Sequence, residues 1–337
     1  MWWVKREEGA TVITVAITLL VLFGTGALGL DAGNLFWERR QLQNSADAAA
    51  LAVAIDCAQG DCGTYDSTAT EYALANNPRG AFVEDIEPAG LSHASGSVTV
   101  TARTGTETGD APSGLTYWLA TVLGFDEGFA RARATAIWKP ADASFAHLPL
   151  TVSMCDVQDA LGFPIEPGVD ISKDLPTGPV TIIFHNSQDP HDLCSAQPGF
   201  DADEDEMLPA GFGWLAEDEV DVCQIKVAAT ADEGFYWAYK DPGNNPIRHC
   251  LEAALGKTVV VPVFIDFERA SPRDRYLLWA PAGFHLTGYR FPGIEAGDPG
   301  CSPPKTCISG YFDNTIEPGS DPTGDTGLGV HSVRLTE

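Results

Sequence analysis

The residues best suited to chemistry form one short polar run, "FHNSQDPHD". Imidazole nitrogens and carboxylate oxygens at this density are the ligands that zinc and other divalent metals take in proteins. A metal-dependent hydrolase would use His185, His191 and Asp192, with His249 or His285 completing the site. The spacing matches no helix-borne zinc motif, however, and a loop of turn-forming residues explains the same composition. We therefore keep an anchored hydrolase only as an alternative.

Two further runs resemble metal loops without completing them. The run "DADEDE" begins at Asp201 like a calcium loop, but Glu206 and Phe212 occupy the positions where an EF-hand needs Gly and Glu. The run "DISKD", from Asp170, lacks the second Ser of the D-x-S-x-S metal-adhesion motif. Neither a nucleophile elbow nor a phosphate loop, zinc-protease motif or dinucleotide fingerprint occurs. The sequence therefore predicts no catalytic residue, no metal and no cofactor.

The charge balance restricts the partners that this chain can have. It has 47 acidic against 20 basic side chains and a formal net charge of -27. Such a surface repels polyanions, so nucleic acid is excluded as a partner. With no active-site motif present, we expect no small-molecule substrate either.

An apolar segment near the N-terminus predicts a membrane anchor. Ala10–Leu30 is a run of 21 residues without a charge, which as a helix spans roughly 30 Å, the thickness of the hydrocarbon core. A cleaved signal peptide has a shorter apolar core of about 7 to 15 residues. We therefore expect an uncleaved transmembrane helix at 10–30, preceded by a cytoplasmic tail at 1–9.

The cysteines favour an oxidising compartment for the rest of the chain, because an even set follows the anchor. The eight are Cys57, Cys62, Cys155, Cys194, Cys223, Cys250, Cys301 and Cys307. Short turn-forming spans predict two local bridges, Cys57 with Cys62 and Cys301 with Cys307. The other four allow three connectivities. Among these we prefer sequential pairing, Cys155 with Cys194 and Cys223 with Cys250.

The transmembrane helix is expected to continue outward as an alanine-rich stalk. Ala46, Ala49, Ala50 and Val53 are spaced three and four residues apart and so share one helical face. Small side chains on one face allow close approach of a second helix, which predicts lateral association. For this outer half we give equal weight to an alternative, in which the same face packs on the chain's own domain.

Alternating segments beyond the stalk predict an α+β fold. Gly96–Arg103 and Phe129–Trp138 have the period of two expected for strands. With the stalk helix, residues 31–138 are interpreted as a pilin-like module with a small antiparallel sheet, followed by a linker at 139–150. Short β-prone runs separated by turns predict a mainly antiparallel β domain with disulfides over 151–337.

The N-terminal segment from Glu7 to Ala58 resembles that of the TadE/TadG-like proteins of the tight-adherence (Flp) pilus system. The most specific portion is "LDAGNLFWERRQLQNSADAAALA", in which an Asp leaves the membrane helix and arginines follow before the alanine-rich continuation. The later half is similar to surface-anchored TadG-like proteins of Gram-positive, high-GC bacteria. Its matching pieces are "GFGWL", "DPGNNP", "GKTVVVPVF", "GFHLTGYRFPG" and "CISGYF".

The resemblance implies a non-enzymatic component of pilus assembly or cell-surface adhesion. Its partners would be other pilus-assembly subunits and their membrane platform, with the N-terminus cytoplasmic and the C-terminal domain extracytoplasmic. In this family, prepilins are cut after a Gly and have Glu at the fifth mature position, where this chain has Thr14 after Gly9. We therefore expect the apolar helix to be retained. A ligand-binding adhesin remains a further alternative.

Overall fold

The computed structural model describes residues 8–77, 81–104, 115–116, 127–166, 169–185, 211–216, 223–226, 235–241, 247–269, 271, 273–317 and 327–336. The helices are α1 (Glu8–Ala58), α2 (Tyr65–Ala75), α3 (Met154–Leu161) and α4 (Ile247–Ala254), with a 3-10 turn at Cys62–Thr64. The first strands are β1 (Ala81–Ala89), β2 (Gly96–Thr104), β3 (Leu115–Thr116), β4 (Glu127–Gly128), β5 (Arg131–Pro140), β6 (Phe145–Ala146), β7 (Leu150–Ser153) and β8 (Val180–Phe184). The later strands are β9 (Phe212–Trp214), β10 (Ile225–Lys226), β11 (Tyr236–Tyr239), β12 (Thr258–Glu268), β13 (Arg275–Phe291), β14 (Ile294–Gly297), β15 (Thr306–Phe312), β16 (Thr315–Ile316) and β17 (Val330–Thr336).

The first sheet has the strand order β1-β2-β5-β17-β16 and packs against the C-terminal half of α1. Its strands pair antiparallel, except β16 with β17, which are parallel. Alternation places Val98, Val100 and Ala102 of β2 on the buried face. Alanines of α1, α2 and β5 fill the same core, so helix and sheet approach closely.

The second sheet contains eight strands, with the path β8-β15-β13-β12-β7-β9 and with β11 and β14 also pairing with β13. Its central strands are nearly continuous apolar runs, and β12 and β13 are buried along most of their length. Among the described strands of this sheet, only the β12–β7 pair is parallel. The largest core of the described chain lies here, where α3 packs against β7, β8 and β12.

The end of the chain returns to the first sheet, across the segment 139–150 that was predicted as a linker. Strand β17 pairs antiparallel with β5, joining His331 to Pro140 and Thr336 to Thr135. The predicted linker contains the end of β5, all of β6 and the first residue of β7. Local sequence patterns do not indicate pairing between segments so far apart, and the domain boundaries remain a prediction. The fold is α+β, with an N-terminal apolar helix and mostly antiparallel sheets.

Candidate functional site: helix α1 and its surroundings

The first half of α1 exposes an almost entirely apolar surface. From Thr11 onward, large side chains project from every side of the helix, and its most apolar 18-residue window is 0% buried within the described chain. Those that are exposed are Val12, Ile13, Val15, Ile17, Leu19, Leu20, Val21, Leu22, Phe23, Leu30, Leu35, Phe36 and Trp37. By length and composition this helix can cross a membrane.

Two hydroxyl groups in this half donate to backbone carbonyls of the helix itself. Thr18 Oγ1 donates to Thr14 O at 2.8 Å, and Thr25 Oγ1 donates to Val21 O at 2.9 Å. In hydrocarbon an unpaired hydroxyl would be costly, so these bonds suit a lipid environment. Gly29 and Gly33 follow, and a Cβ atom placed on either would meet no other atom within 4 Å. Their four-residue spacing is that of a small-residue contact between membrane helices.

The environment of α1 changes at Leu42, the first fully buried apolar side chain along the helix among those described. Ala46, Ala49, Ala50 and Val53 are all 0% exposed and belong to the core that α1 forms with α2, β2 and β5. In the described structure this face is covered by the chain's own domain, which is the packing that the alternative described. Lateral association through it remains a prediction.

A disulfide and a histidine lie at the C-terminal end of α1. The structure bonds Cys57 to Cys62 with Cα atoms 4.3 Å apart, which joins the last turn of the helix to the 3-10 turn. His93, in the loop between β1 and β2, donates from Nδ1 to the carbonyl oxygen of Cys57 at 3.3 Å. Thr68 of α2 donates to the Asp56 carboxylate at 2.8 Å. The helix end is therefore attached to both α2 and the sheet.

The other cysteines divide into two bonded pairs and two remaining residues. Cys223 is bonded to Cys250, with 5.3 Å between their Cα atoms, and Cys301 to Cys307, with 6.4 Å. Cys155 is buried at the start of α3, where its backbone N–H donates to Ser153 Oγ. Cys194 lies outside the described residues, so its predicted pairing with Cys155 remains a proposal.

Of the polar run around His185, the structure describes a buried hydrogen bond between a histidine and a carboxylate. His185 Nδ1 donates to Asp156 Oδ1 at 2.9 Å, and both side chains are almost completely buried. Burial raises the pKa of the Asp156 carboxyl, and the His185 hydrogen bond offsets this in part. Gly211 packs so closely on the carboxylate that any side chain there would collide with it. The pair joins α3 to the end of β8 and the start of β9. His191 and Asp192 lie outside the described residues.

The histidines proposed to complete a metal site do not join His185. His285 contacts Thr258 Oγ1 at 3.1 Å and stacks on Tyr311, whereas His249 neighbours the Cys250 sulfur. Within the described ranges, a single group has three potential ligand atoms close enough for one ion, and it consists of His249, Cys223 and Cys250. The two sulfurs in that group are bonded to each other and cannot act as thiolates.

The near-motif "DISKD" stabilises a loop in the described structure. Ser172 donates both its backbone N–H and its hydroxyl to Asp170 Oδ1, and its Oγ accepts from the N–H of Gly329. The segment thereby connects the loop before β8 to the residue that precedes β17. The acidic run Asp201–Glu206 lies outside the described residues.

The sequence analysis did not identify a buried pair of histidines, His93 and His331. His331 of β17 is 0% exposed, its ring lies 4.9 Å from that of His93, and its Nε2 lies 4.0 Å from Asp170 Oδ2. The pKa of His331 is lowered to about 4, chiefly by burial and then by the neighbouring His93, while Asp170 opposes the shift. Neither ring nitrogen of His331 has a hydrogen-bond partner. The three residues are distant in sequence, so no local pattern marked them.

These features define a class of protein: an α+β chain with disulfides, in which an apolar helix able to cross a membrane continues directly into a folded domain. Residues 9–56 match a family model described as "Putative Flp pilus-assembly TadE/G-like". The matched segment is almost the whole of α1, from its exposed apolar half to the turn before Cys57. No curated protein and no solved structure matches the chain.

Proposed function

We propose that this protein is a single-pass, membrane-anchored component of Flp pilus assembly that organises other subunits and is not an enzyme. The apolar half of α1 crosses the cell membrane with the N-terminus in the cytoplasm. The two sheets lie outside the cell, where the disulfides form. Its partners are other pilus subunits and the membrane platform.

The observation that supports this role best is the coincidence of the family match with the two halves of α1. A helix that is exposed and apolar over its first half and packed on a sheet over its second half connects a membrane to a domain. Catalysis has no comparable support, because the one described histidine–carboxylate pair of the polar run is buried and satisfied. A pilus-assembly role therefore fits the described residues better than a hydrolase.

Helix association in the membrane is the testable part of this proposal. Because the stalk face is covered, we assign association to the face of Gly29 and Gly33, which is open. Gly24 is equally open but, at about 100° per residue, points about 140° away from Gly29. It therefore provides a matched control on the opposite side of the same helix.

The experiment compares Gly29→Leu and Gly33→Leu with Gly24→Leu in cells that assemble pili. We expect the first two variants to reduce co-purification of pilus-system subunits from detergent extracts by about tenfold, and Gly24→Leu to leave it near the wild-type level. Far-UV circular dichroism checks that the domain is intact. Equal yields from all three variants would contradict helix association through this face. An absence of pilus subunits in the wild-type extract would contradict the assembly role.

A further inference from the structure

The exposed apolar surface of α1 ends close to the point where the folded domain begins. As a helix, residues 11–37 rise about 40 Å, which matches the roughly 40–45 Å thickness of a bilayer with its headgroup layers. Phe36 and Trp37 are 68% and 40% exposed, and within the next two turns Leu42 is fully buried. With the apolar half of α1 in the membrane, as proposed, the base of the domain therefore lies at the level of the lipid headgroups.

Two arginines follow this apolar surface directly. Arg39 and Arg40 are exposed, and neither has an ion-pair partner among the residues that the structure describes. Because Cα–Cβ bonds tilt toward the N-terminus of a helix, these long side chains lean back toward the apolar half. The acids on the same stretch, Asp31 and Glu38, share another face of α1, where Asp31 is half-buried and Glu38 is 2% exposed. The charges presented to solvent just beyond Trp37 are therefore positive.

Hydrogen bonds define the direction of β5 relative to α1. Near the start of the strand, Gln43 Nε2 of α1 donates to Arg133 O at 3.1 Å. Near its end, Trp138 Nε1 donates to Ser92 O at 2.8 Å, and the next residue, His93, contacts the last turn of α1. The start of β5 therefore lies toward the apolar half of α1, and its end lies toward the C-terminus of that helix.

The end of the first sheet nearest the apolar half of α1, which we call the basal end, is basic and aromatic. It consists of the start of β1, the end of β2 and the start of β5, where Phe82 pairs with Arg103 and Arg103 with Arg131. The guanidinium of Arg103 stacks on the Phe82 ring at 4.7 Å, and Phe129, just before β5, is 50% exposed. Arg131 and Arg133 are 63% and 58% exposed, and each pairs with a glutamate of β1. Exposed ion pairs of this kind are weak, so both arginines remain available to other anions.

The charge of this region is opposite to that of the chain, whose net charge of -27 repels an anionic membrane over most of its surface. Guanidinium groups bind phosphate oxygens in bidentate fashion, and aromatic rings favour the headgroup level of a bilayer. Both preferences are met when the basal end faces the membrane. Five of the 20 basic residues lie at the basal end or on the adjoining part of α1, namely Arg39, Arg40, Arg103, Arg131 and Arg133.

We propose that the basal end, together with Arg39 and Arg40, binds the phosphate groups of anionic phospholipids at the membrane surface. The exposed rings of Phe36, Trp37 and Phe129 lie among the headgroups, and the arginines bind phosphate oxygens. The domain then rests on the bilayer with β5 directed away from it, an orientation that the unbroken helix α1 maintains. This inference rests on the membrane anchoring in the proposed function and adds the class of lipid that the domain recognises.

The test uses the full-length chain in vesicles of phosphatidylcholine, either alone or with about one third phosphatidylglycerol. Flotation of the vesicles in a sucrose gradient first measures anchoring in both lipids. A photoreactive benzoylphenylalanine then replaces Phe129 or, as a matched control, the exposed Lys139 at the far end of β5. Lipid adducts formed on illumination are measured by mass spectrometry. In the anionic vesicles we expect about five times more adducts at position 129 than at position 139.

Charge variants distinguish headgroup binding from simple proximity to the membrane. Replacing Arg39 and Arg40 together by Gln should lower the adduct yield at position 129 about fivefold, as should omission of phosphatidylglycerol. The pair Lys173→Gln and Lys257→Gln removes the same charge at exposed sites outside the basal end and should change the yield less than about twofold. Far-UV circular dichroism checks that every variant is folded.

The remaining outcomes separate this inference from the anchor on which it rests. A chain that does not float with vesicles would contradict the membrane anchor and with it the proposed function. A chain that floats but gives equal adducts at both positions leaves the anchor intact and would show that the domain does not rest on the bilayer. A yield at position 129 that is independent of phosphatidylglycerol, or of Arg39 and Arg40, would exclude recognition of anionic headgroups. An equal loss in the lysine control would assign the effect to net charge alone.

Discussion

His331 is the described residue whose protonation is most strongly opposed by its surroundings. Its ring is buried beside His93, with only Asp170 as a nearby acid, and its pKa is lowered from 6.5 to about 4. In the unfolded chain the same histidine takes a proton near pH 6.5. Between these two pH values the unfolded state binds more protons than the folded state, so stability falls as the pH falls.

We expect acidification from pH 7 to pH 4 to lower the free energy of unfolding by about 3 kcal/mol through His331. Replacing His331 by Gln should remove most of that dependence while lowering stability at pH 7. Urea unfolding at both pH values, followed by tryptophan fluorescence, to which the buried Trp138 contributes, measures this. A variant whose stability falls as steeply with acid as that of the wild type would assign the effect to other groups.

At the scale of elements, α1 is one helix with two different environments. The sequence indicated both, because the uncharged run predicted the apolar half and the alanine-rich continuation predicted the helix beyond it. It did not indicate what the alanine face contacts. Small residues at helical spacing serve equally for a second helix in a membrane and for a sheet of the same chain. Only the position of β2 and β5 decides between them.

The burial of Ala49 predicts a large effect on folding of the first sheet. Replacing it by Phe places a ring where the side chain is 0% exposed, and overpacking of this kind costs about 1–3 kcal/mol or more. We expect a lower unfolding temperature for Ala49→Phe, measured by differential scanning fluorimetry in detergent. Ala32→Phe, on an exposed part of the same helix, should leave that temperature within about 1 °C. Equal melting of the two variants would contradict the described packing.

Other elements show how much of the structure local sequence patterns can predict. Strands β2 and β5 alternate clearly and were predicted close to their observed bounds, because one face is buried and the other is not. The buried pair of His93 and His331 was not predicted. The two residues are far apart in sequence, and only the folded chain brings their rings to 4.9 Å from each other.

At the scale of the whole molecule, the first sheet combines strands from the first half of the chain with strands from its end. Strand β17 covers β5 on the side away from β2, and Val330, His331 and Ser332 are almost completely buried there. Residues between them build the second sheet. The first sheet is therefore completed only after the second has been synthesised, and pairing of this range slows folding because a long loop must close first.

This topology predicts that the stability of the first sheet depends on the C-terminal strand, β17. A chain ended after Glu317 lacks β17, so β5 loses the antiparallel partner that pairs residues 135–140, and the core beneath it opens to water. We expect amide hydrogens of β5 to exchange at least tenfold faster than in the full chain, measured by hydrogen exchange and mass spectrometry. A chain ended after Arg334 lacks the exposed Leu335 and the partly exposed Thr336 from the strand and is the matched control. Unchanged protection of β5 in the shorter chain would mean that residues 31–138 form their sheet independently, as the sequence patterns alone had suggested.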